Sequence, residues 1–380
     1  MKLHVGACGI GYGHVGRDLP SVTELAREGW EVYFTTYGEA VNFARVSGYR
    51  VYEEPSVHYI TKKGEVTMKG TILSFPRQLN SFFKQLVQEY KIIRKEKPDL
   101  ILSDSRLSTL LAAKLARKRS VLLIHELKVL IPIRNPSFKK FSEEISYRFL
   151  SSFWSLADKV VISDFPPPLT IAEDNVKLWW PLRKKSKCVF AGPCGRKSYF
   201  KGDKGGVVYM RVSGLESERT ILNDIYYKTG LLLAESGVST VMSRGNVKDE
   251  SASLFEGGKF VVYGWINSSE NLNVKLLVSV AGQTSISEFI DLGIPFVLTP
   301  PRSHTEHWGI ARSLSKKGIA VSLSLNSLTP ESLKEVIQGA LNNERLYEAA
   351  SDFSNIVRTY PGDPILLAVL KGEAPHKLKA

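Results

Sequence analysis

The chain has 380 residues, more than one hydrophobic core usually organises, so two domains are expected. Hydrophobic residues make up 43%, enough for two cores, yet the longest apolar runs fall well short of a bilayer crossing. The net charge of +13 is one-sided: residues 1–200 carry 32 Lys and Arg against 19 Asp and Glu, whereas residues 201–380 carry 19 against 19. A basic half beside a neutral half points to an anionic surface or substrate. No zinc knuckle, aromatic RNP pattern or helix-turn-helix signature is present, so an anionic membrane surface is preferred over nucleic acid. Cys8, Cys188 and Cys194 lack metal or disulfide spacing, and Met1 to Val5 enters a strand without a signal-peptide core. A reducing cytoplasm fits both observations.

In chain order, strands are expected near 2–7, 31–36, 50–53, 99–103, 121–125, 159–163 and 187–192, with amphipathic helices between them, such as 14–29 and 107–118. Continuous apolar strands such as Val121-Leu122-Leu123-Ile124 imply a parallel sheet covered on both faces. A second series follows a Lys- and Gly-rich stretch, with strands near 207–212, 239–243, 259–263, 276–280, 295–299 and 319–324. Its helices are expected near 216–236, 285–292, 306–317, 330–342 and 344–358. The reading is an α/β protein of two Rossmann-like βα domains, 1–194 and 206–362, joined by a linker at 195–205. Residues 363–380 are expected to pack back on the first domain. Ligands in such sheets bind beyond the carboxyl ends of the strands, so a cleft between the domains is the expected place for the chemistry.

Four places at those strand ends carry polar or small residues suited to chemistry. The first turn, Gly9 to Arg17, formally contains G-x-G-x-x-G through Gly11, Gly13 and Gly16. A dinucleotide site also wants an acid at the end of the second strand, where this chain has Thr35-Thr36-Tyr37, so a dehydrogenase is disfavoured. The alternative makes the glycines room for a substrate and puts His14 at a helix start, where the dipole would keep it a neutral base near pH 7. At the end of the fifth strand, Glu126 is a candidate to take a proton from an attacking hydroxyl, while His125 more simply bonds a nearby loop.

The third place is the most specific. Ala281 to Pro295 runs from an apolar strand through a small-residue turn, Gly282, Gln283, Thr284 and Ser285, into a short helix that stops at Gly293. Unpaired amides and the helix dipole there favour a phosphate, and Glu288 stands one turn on, within reach of an attached ribose. Ser285-Ile286-Ser287-Glu288 also reads as a capping box, so cap and ribose ligand both remain open. The fourth is Pro301 to Trp308, where Glu306 and His307 could meet sugar hydroxyls; the His304, Glu306, His307 spacing fits no standard zinc pattern. Two further stretches mix aromatics with basic residues as interfacial helices do. One is Phe75 to Lys97, with Leu79, Phe82, Phe83, Leu86, Tyr90 and Ile93; the other is Val129 to Trp154, with Phe138, Phe141, Phe149 and Phe153 beside Lys139, Lys140 and Arg148.

On these residues the chain resembles the GT-B glycosyltransferases over nearly its whole length. The likeness is strongest to the family that adds GlcNAc to the lipid-linked peptidoglycan precursor and to its archaeal and eukaryotic polyprenyl-diphosphate relatives. The resemblance implies that His14 is the functional histidine of the glycine-rich turn and that Glu126, in Ile124-His125-Glu126, serves acceptor chemistry. It makes Glu288 the ribose ligand, Glu306 and His307 contacts to the donor sugar, and Val262 to Ile266, with Trp265 and Ile266, the recogniser of uracil. The family's Gly-Gly-Ser turn opening the second domain appears here as Arg211-Val212-Ser213-Gly214, leaving Ser213 and Gly214 as its counterparts. His307 and Ile310 replace the usual Gln and Asn, and Leu127-Lys128-Val129 departs from the peptidoglycan enzyme, which points to a different lipid acceptor.

The expected activity is therefore inverting transfer of a GlcNAc-type hexose from a UDP-sugar to a lipid-linked acceptor at the inner membrane face. The UDP-sugar is a co-substrate, and no cofactor or metal is expected, since no Asp-x-Asp stands at a strand end. A UDP-sugar 2-epimerase on the same fold and a non-catalytic UDP-sugar-binding subunit are the alternatives.

Overall fold

The computed structural model describes residues 1–56, 61–62, 65–66, 68–128, 130, 135–176, 187–195, 200–214, 216–246, 249, 251–266, 272–301 and 304–373. The chain divides into two compact units, one built from Met1–Thr61, Val66–Arg196 and the segment from Thr359, the other chiefly from Lys197–Arg358.

The first unit alternates strand and helix from its start. In order these are β1 (Lys2–Ala7), α1 (Gly13–Arg27), β2 (Glu31–Thr36), α2 (Glu39–Val46) and β3 (Arg50–Glu53). A short pair, β4 (Thr61–Lys62) and β5 (Glu65–Val66), precedes α3 (Met68–Glu96). Then come β6 (Leu100–Asp104), α4 (Leu107–Leu115), β7 (Ser120–Ile124), α5 (Pro136–Trp154), β8 (Lys159–Ile162) and β9 (Cys188–Phe190). The strands form one parallel sheet in the order β3-β2-β1-β6-β7-β8-β9. β1, β6 and β7 are buried almost throughout, as strands covered by helices on both faces must be. The chain reverses direction of progress at β1, so the carboxyl ends of β1 and β6 form the switch point where such sheets hold ligands.

The second unit repeats the plan with β10 (Lys201–Arg211), α6 (Glu216–Glu235), β11 (Thr240–Ser243), β12 (Ala252–Phe255), β13 (Phe260–Tyr263) and β14 (Asn273–Ser279). It continues with α7 (Gln283–Phe289), β15 (Phe296–Leu298), α8 (Thr305–Lys316), β16 (Ala320–Ser322), α9 (Pro330–Leu341) and α10 (Glu344–Val357). Its sheet runs β12-β13-β11-β10-β14-β15-β16, parallel except for the antiparallel edge strand β12. Here the switch point lies between β10 and β14. The last helix, α11 (Asp363–Lys371), packs on α1 and adds Ile365, Leu366, Val369 and Leu370 to the first unit's core.

The sequence reading requires correction at three places. Residues 201–205, expected as linker, are strand: Lys201 pairs with Asn273 through the main chain while the side chains stay exposed, so the stretch reads as polar. Residues 359–362, expected at the end of the second domain, belong with the first unit, where Gly362 donates to Ala191. The helix expected at 285–292 begins at Gln283 and tightens into a 3₁₀ turn, Ile290–Leu292, before Gly293 takes a left-handed φ of 67°.

Candidate functional site

The first unit gathers its polar groups at the ends of β1, β6 and β7. The chain leaves β1 through glycines that sterics demand. A Cβ on Gly9 would lie 2.0 Å from the Tyr37 carbonyl oxygen, and Gly11 has a φ of +66°. The turn delivers His14 to the first turn of α1, where its Nδ1 lies 3.0 Å from Asp104 Oδ1 at the end of β6. Asp104 is adjacent because β1 and β6 pair with Ala7 opposite Asp104. One turn further, the buried Arg17 donates through Nε to Asp104 Oδ2 at 2.7 Å and through Nη2 to Asp104 Oδ1 and to Ser105 Oγ at 3.0 Å. Its remaining terminal nitrogen meets Nδ1 of His125, whose ring centroid lies 5.7 Å from that of His14. His125 therefore faces α1, not the nearby loop expected from sequence.

The electrostatics follow from this packing. Burial opposes ionisation of Asp104, but Arg17 and His14 hold its carboxyl well below the usual carboxylate range. Burial likewise opposes the imidazolium of His14, yet the Asp104 carboxylate, helped by Cys8, raises it to about 10. The sequence expectation of a neutral His14 near pH 7 is thus overturned: a partner carboxylate at hydrogen-bond distance outweighs a helix dipole. Cys8 follows β1 beside this pair, 3.3 Å from the Tyr37 hydroxyl; burial raises its thiol, but His14 draws it down to about 7. Glu126 stands on the turn after β7, where the Asn175 side-chain amide donates to its Oε1 at 2.7 Å and the Asn175 carbonyl accepts from Leu127 and Lys128. A second charged network lies behind. Glu89 accepts from Thr35 and Thr109 and pairs with His4 and Arg106, and Arg106 also pairs with Glu54.

In the second unit the expected donor residues come together at the ends of β10, β14 and β15. Gly282 caps α7 from an extended conformation without a side-chain cap, and the first helical bond runs from Ile286 N–H to Gly282. The amides of Gln283, Thr284 and Ser285 thus precede any i−4 acceptor. Ser285 lies inside the helix, so the capping-box reading fails. The Glu288 carboxylate pairs with the Arg211 guanidinium at the end of β10. Beyond Arg211, Ser213 Oγ is buried without a hydrogen-bond partner, and Gly214, at φ +101°, leaves room for the Glu218 carboxylate. His307, buried in the first turn of α8 next to Glu306, brings Nε2 to 3.6 Å from where a Gly282 Cβ would be, and its ring stacks on His304 at 3.8 Å. After β13 the chain turns at Gly264, held by Asn246 N–H and Ser251 O, and carries half-buried Trp265 and buried Ile266. Among the described residues, no three His, Cys, Asp or Glu side chains converge as metal ligands would.

Sequence reasoning missed Asp104, Arg17, Asn175 and Arg211. Asp104 and Arg211 each end an apolar strand, and only the sheet order brings them to His14 and Glu288.

The outer helices divide the interfacial residues. On α3, Ile93 is buried and Leu86 packs against the core, while Leu79, Phe83, Val87 and Tyr90 are exposed. On α5, Phe138, Phe141, Ile145 and Phe149 form an exposed stripe with exposed Lys140 and Arg148. Val129, Ile131, Ile133 and Arg134 lie outside the described residues, as does the side chain of Phe75. Among the described residues no helix is long and apolar enough to cross a membrane.

Residues 233–359 match the glycosyltransferase family 28 C-terminal domain. An uncharacterized glycosyltransferase of Methanosarcina mazei is 24% identical over 100% of both chains. The UDP-N-acetylglucosamine--N-acetylmuramyl-(pentapeptide) pyrophosphoryl-undecaprenol N-acetylglucosamine transferase of Geobacillus kaustophilus is 24% identical over 95% of this chain and 96% of its own. The crystal structure of the calicheamicin glycosyltransferase CalG4 superposes with a TM-score of 0.67 at 14% identity, covering 97% of each chain. The chain is a glycosyltransferase of the GT-B fold, and it resembles the bacterial GlcNAc-transferases.

Proposed function

We propose that this glycosyltransferase moves a GlcNAc-type hexose from a UDP-sugar to a lipid-linked acceptor at the cytoplasmic face of the membrane, with inversion at the anomeric carbon. The observation that carries the reading is the His14 Nδ1 to Asp104 contact at 3.0 Å. A carboxylate on Nδ1 keeps a proton there and leaves Nε2 as the basic nitrogen, the arrangement used wherever a histidine must accept a hydroxyl proton. In the neutral form of His14, whose share grows as pH rises towards about 10, Nε2 takes the proton of the acceptor hydroxyl, whose oxygen bonds to the anomeric carbon as the bond from that carbon to the diphosphate oxygen breaks. One displacement inverts the centre, and UDP departs with the electron pair. Amides at Gln283, Thr284 and Ser285 offset the charge that grows on the diphosphate. Glu288 takes the ribose, Trp265 and Ile266 flank the base, Glu306 and His307 meet the sugar, and Glu126 orients the acceptor.

Two observations support the donor and the location. The Geobacillus relative carries UDP-N-acetylglucosamine and an undecaprenol-linked acceptor in its name. The exposed aromatics of α3 and α5, set among basic residues, suit an interfacial helix pair on an anionic leaflet.

The test is UDP release from UDP-GlcNAc with and without polyprenyl-diphosphate-sugar acceptors in anionic vesicles. Acceptor-dependent release with an inverted product is expected. Consumption of UDP-GlcNAc at the same rate without lipid would overturn the transfer reading and favour an epimerase.

A further inference from the structure

Arg211 and Glu288 form an ion pair whose side chains are 17% and 9% exposed, largely removed from solvent. The pair links two turns at the centre of the second sheet, since Arg211 ends β10 opposite Ser279 of the neighbouring β14. Ser213 Oγ, two residues beyond Arg211, is buried and lacks a hydrogen-bond partner. A carboxylate placed to hold a ribose also repels the diphosphate attached to that ribose. A guanidinium bound to that carboxylate cancels the repulsion, and its planar fork of donors fits a phosphate as well as a carboxylate.

We propose that Arg211 is a diphosphate ligand of the donor nucleotide and exchanges partners when the donor binds. The guanidinium leaves Glu288 for the diphosphate, and the freed carboxylate accepts the ribose hydroxyl. Ser213, the counterpart of the serine in the family's Gly-Gly-Ser turn, meets the same diphosphate as the resemblance already implies. The proposal rests on the reading of residues 282–288 as the donor site and adds a discriminator to it. A nucleoside without phosphates must separate the ion pair to reach Glu288 and offers Arg211 nothing in return, so the pair excludes it. A nucleoside diphosphate satisfies both partners at once.

Ligand-observed NMR titrations with uridine, UDP and inorganic pyrophosphate test this on the full chain, with melting curves as the folding control. Arg211→Gln is expected to weaken UDP binding by roughly tenfold to a hundredfold, the loss of a charge-assisted contact, while uridine binds as well as before or better. Arg211→Lys should recover part of the UDP affinity. Glu288→Gln should tighten pyrophosphate, because the carboxylate no longer competes for the guanidinium, and weaken UDP. A structural ion pair predicts the opposite pattern, with UDP and uridine falling together and pyrophosphate no tighter in Glu288→Gln; either result overturns the proposal. If Arg211→Gln fails to fold, the Glu288→Gln pyrophosphate titration decides alone. Failure of the wild-type chain to bind UDP would instead overturn the donor-site reading.

Discussion

The two units present the same sheet edge to chemistry in opposite ways. At the end of β1 and β6, side-chain charges do the work: His14, Arg17 and Asp104 are packed so closely that each sets the ionisation of the others. At the end of β10 and β14, the groups offered are mostly main-chain amides and small residues, with one ion pair beside them. The difference matches two tasks. Moving a proton requires a group whose protonation is held by neighbours, whereas gripping a diphosphate requires fixed donors that do not titrate. The comparison therefore predicts a clean separation, with turnover governed by one edge and nucleotide affinity by the other.

The largest effect should come from His14→Ala, which removes the proposed proton acceptor and should lower kcat by roughly a hundredfold to ten-thousandfold. UDP affinity by titration calorimetry should stay within about twofold, since no donor contact is lost. A parallel loss of UDP binding would break the division between the edges.

The pH profile sharpens the same point. His14 is raised to about 10, so most of it is protonated at neutral pH and kcat/KM should climb as pH rises towards that value. Asp104→Asn removes the cause, and the rising limb should move down towards the ordinary histidine pKa of about 6.5 while the maximal rate falls. The stability that the pair contributes follows the same sign: it is complete below about pH 6.5 and is lost as pH rises through the folded value. A profile that Asp104→Asn leaves in place would assign proton transfer elsewhere, with Glu126 the next candidate.

At the other edge, Glu288→Ala should weaken UDP binding by about 1–3 kcal/mol, the cost of leaving polar partners unmatched. Turnover at saturating donor should fall far less than in His14→Ala.

Much of this was legible in the sequence for physical reasons. Parallel strands buried on both faces must be continuous apolar runs, so β1, β2, β6, β7 and β8 stand out with errors of a residue or so. Glycines at turns with positive φ or a close neighbour are equally visible, as at Gly9 and Gly11. Partners across the sheet were not legible. Nothing around Asp104 in Leu-Ile-Leu-Ser-Asp marks it as the neighbour of His14, because 90 residues separate them and only the pairing of β1 with β6 brings them together. Arg17 resembles any surface arginine of an amphipathic helix until the carboxylate beneath it is known. The first part of β10 was missed for the converse reason: its exposed Lys and Gly residues make a strand only through the main chain. The edge strand β12 likewise has mostly exposed side chains. The Ser285-to-Glu288 spacing fits a capping box that the structure does not form, since the helix starts at Gln283 with Gly282 at its N-cap.

The contrast between the units extends to their outer surfaces, where the expected effects are smallest. The first unit has apolar side chains exposed in rows along α3 and α5, and residues 1–200 carry the chain's whole charge excess; among the described residues of the second unit, the exposed large apolar side chains, Ile221, Leu254 and Ile356, lie on separate elements. Lys140 is the sharper probe on α5, because Lys139 lies 3.8 Å from Glu143 and is partly neutralised by it. Lys140→Gln should weaken co-sedimentation with anionic vesicles by about 1 kcal/mol and leave binding to neutral vesicles unchanged. Phe141→Ser should weaken both, since apolar burial does not depend on headgroup charge. If wild-type binding ignores anionic lipid content, the excess positive charge of the first half serves some partner other than a membrane, and the aromatic stripe on α5 must be explained without it.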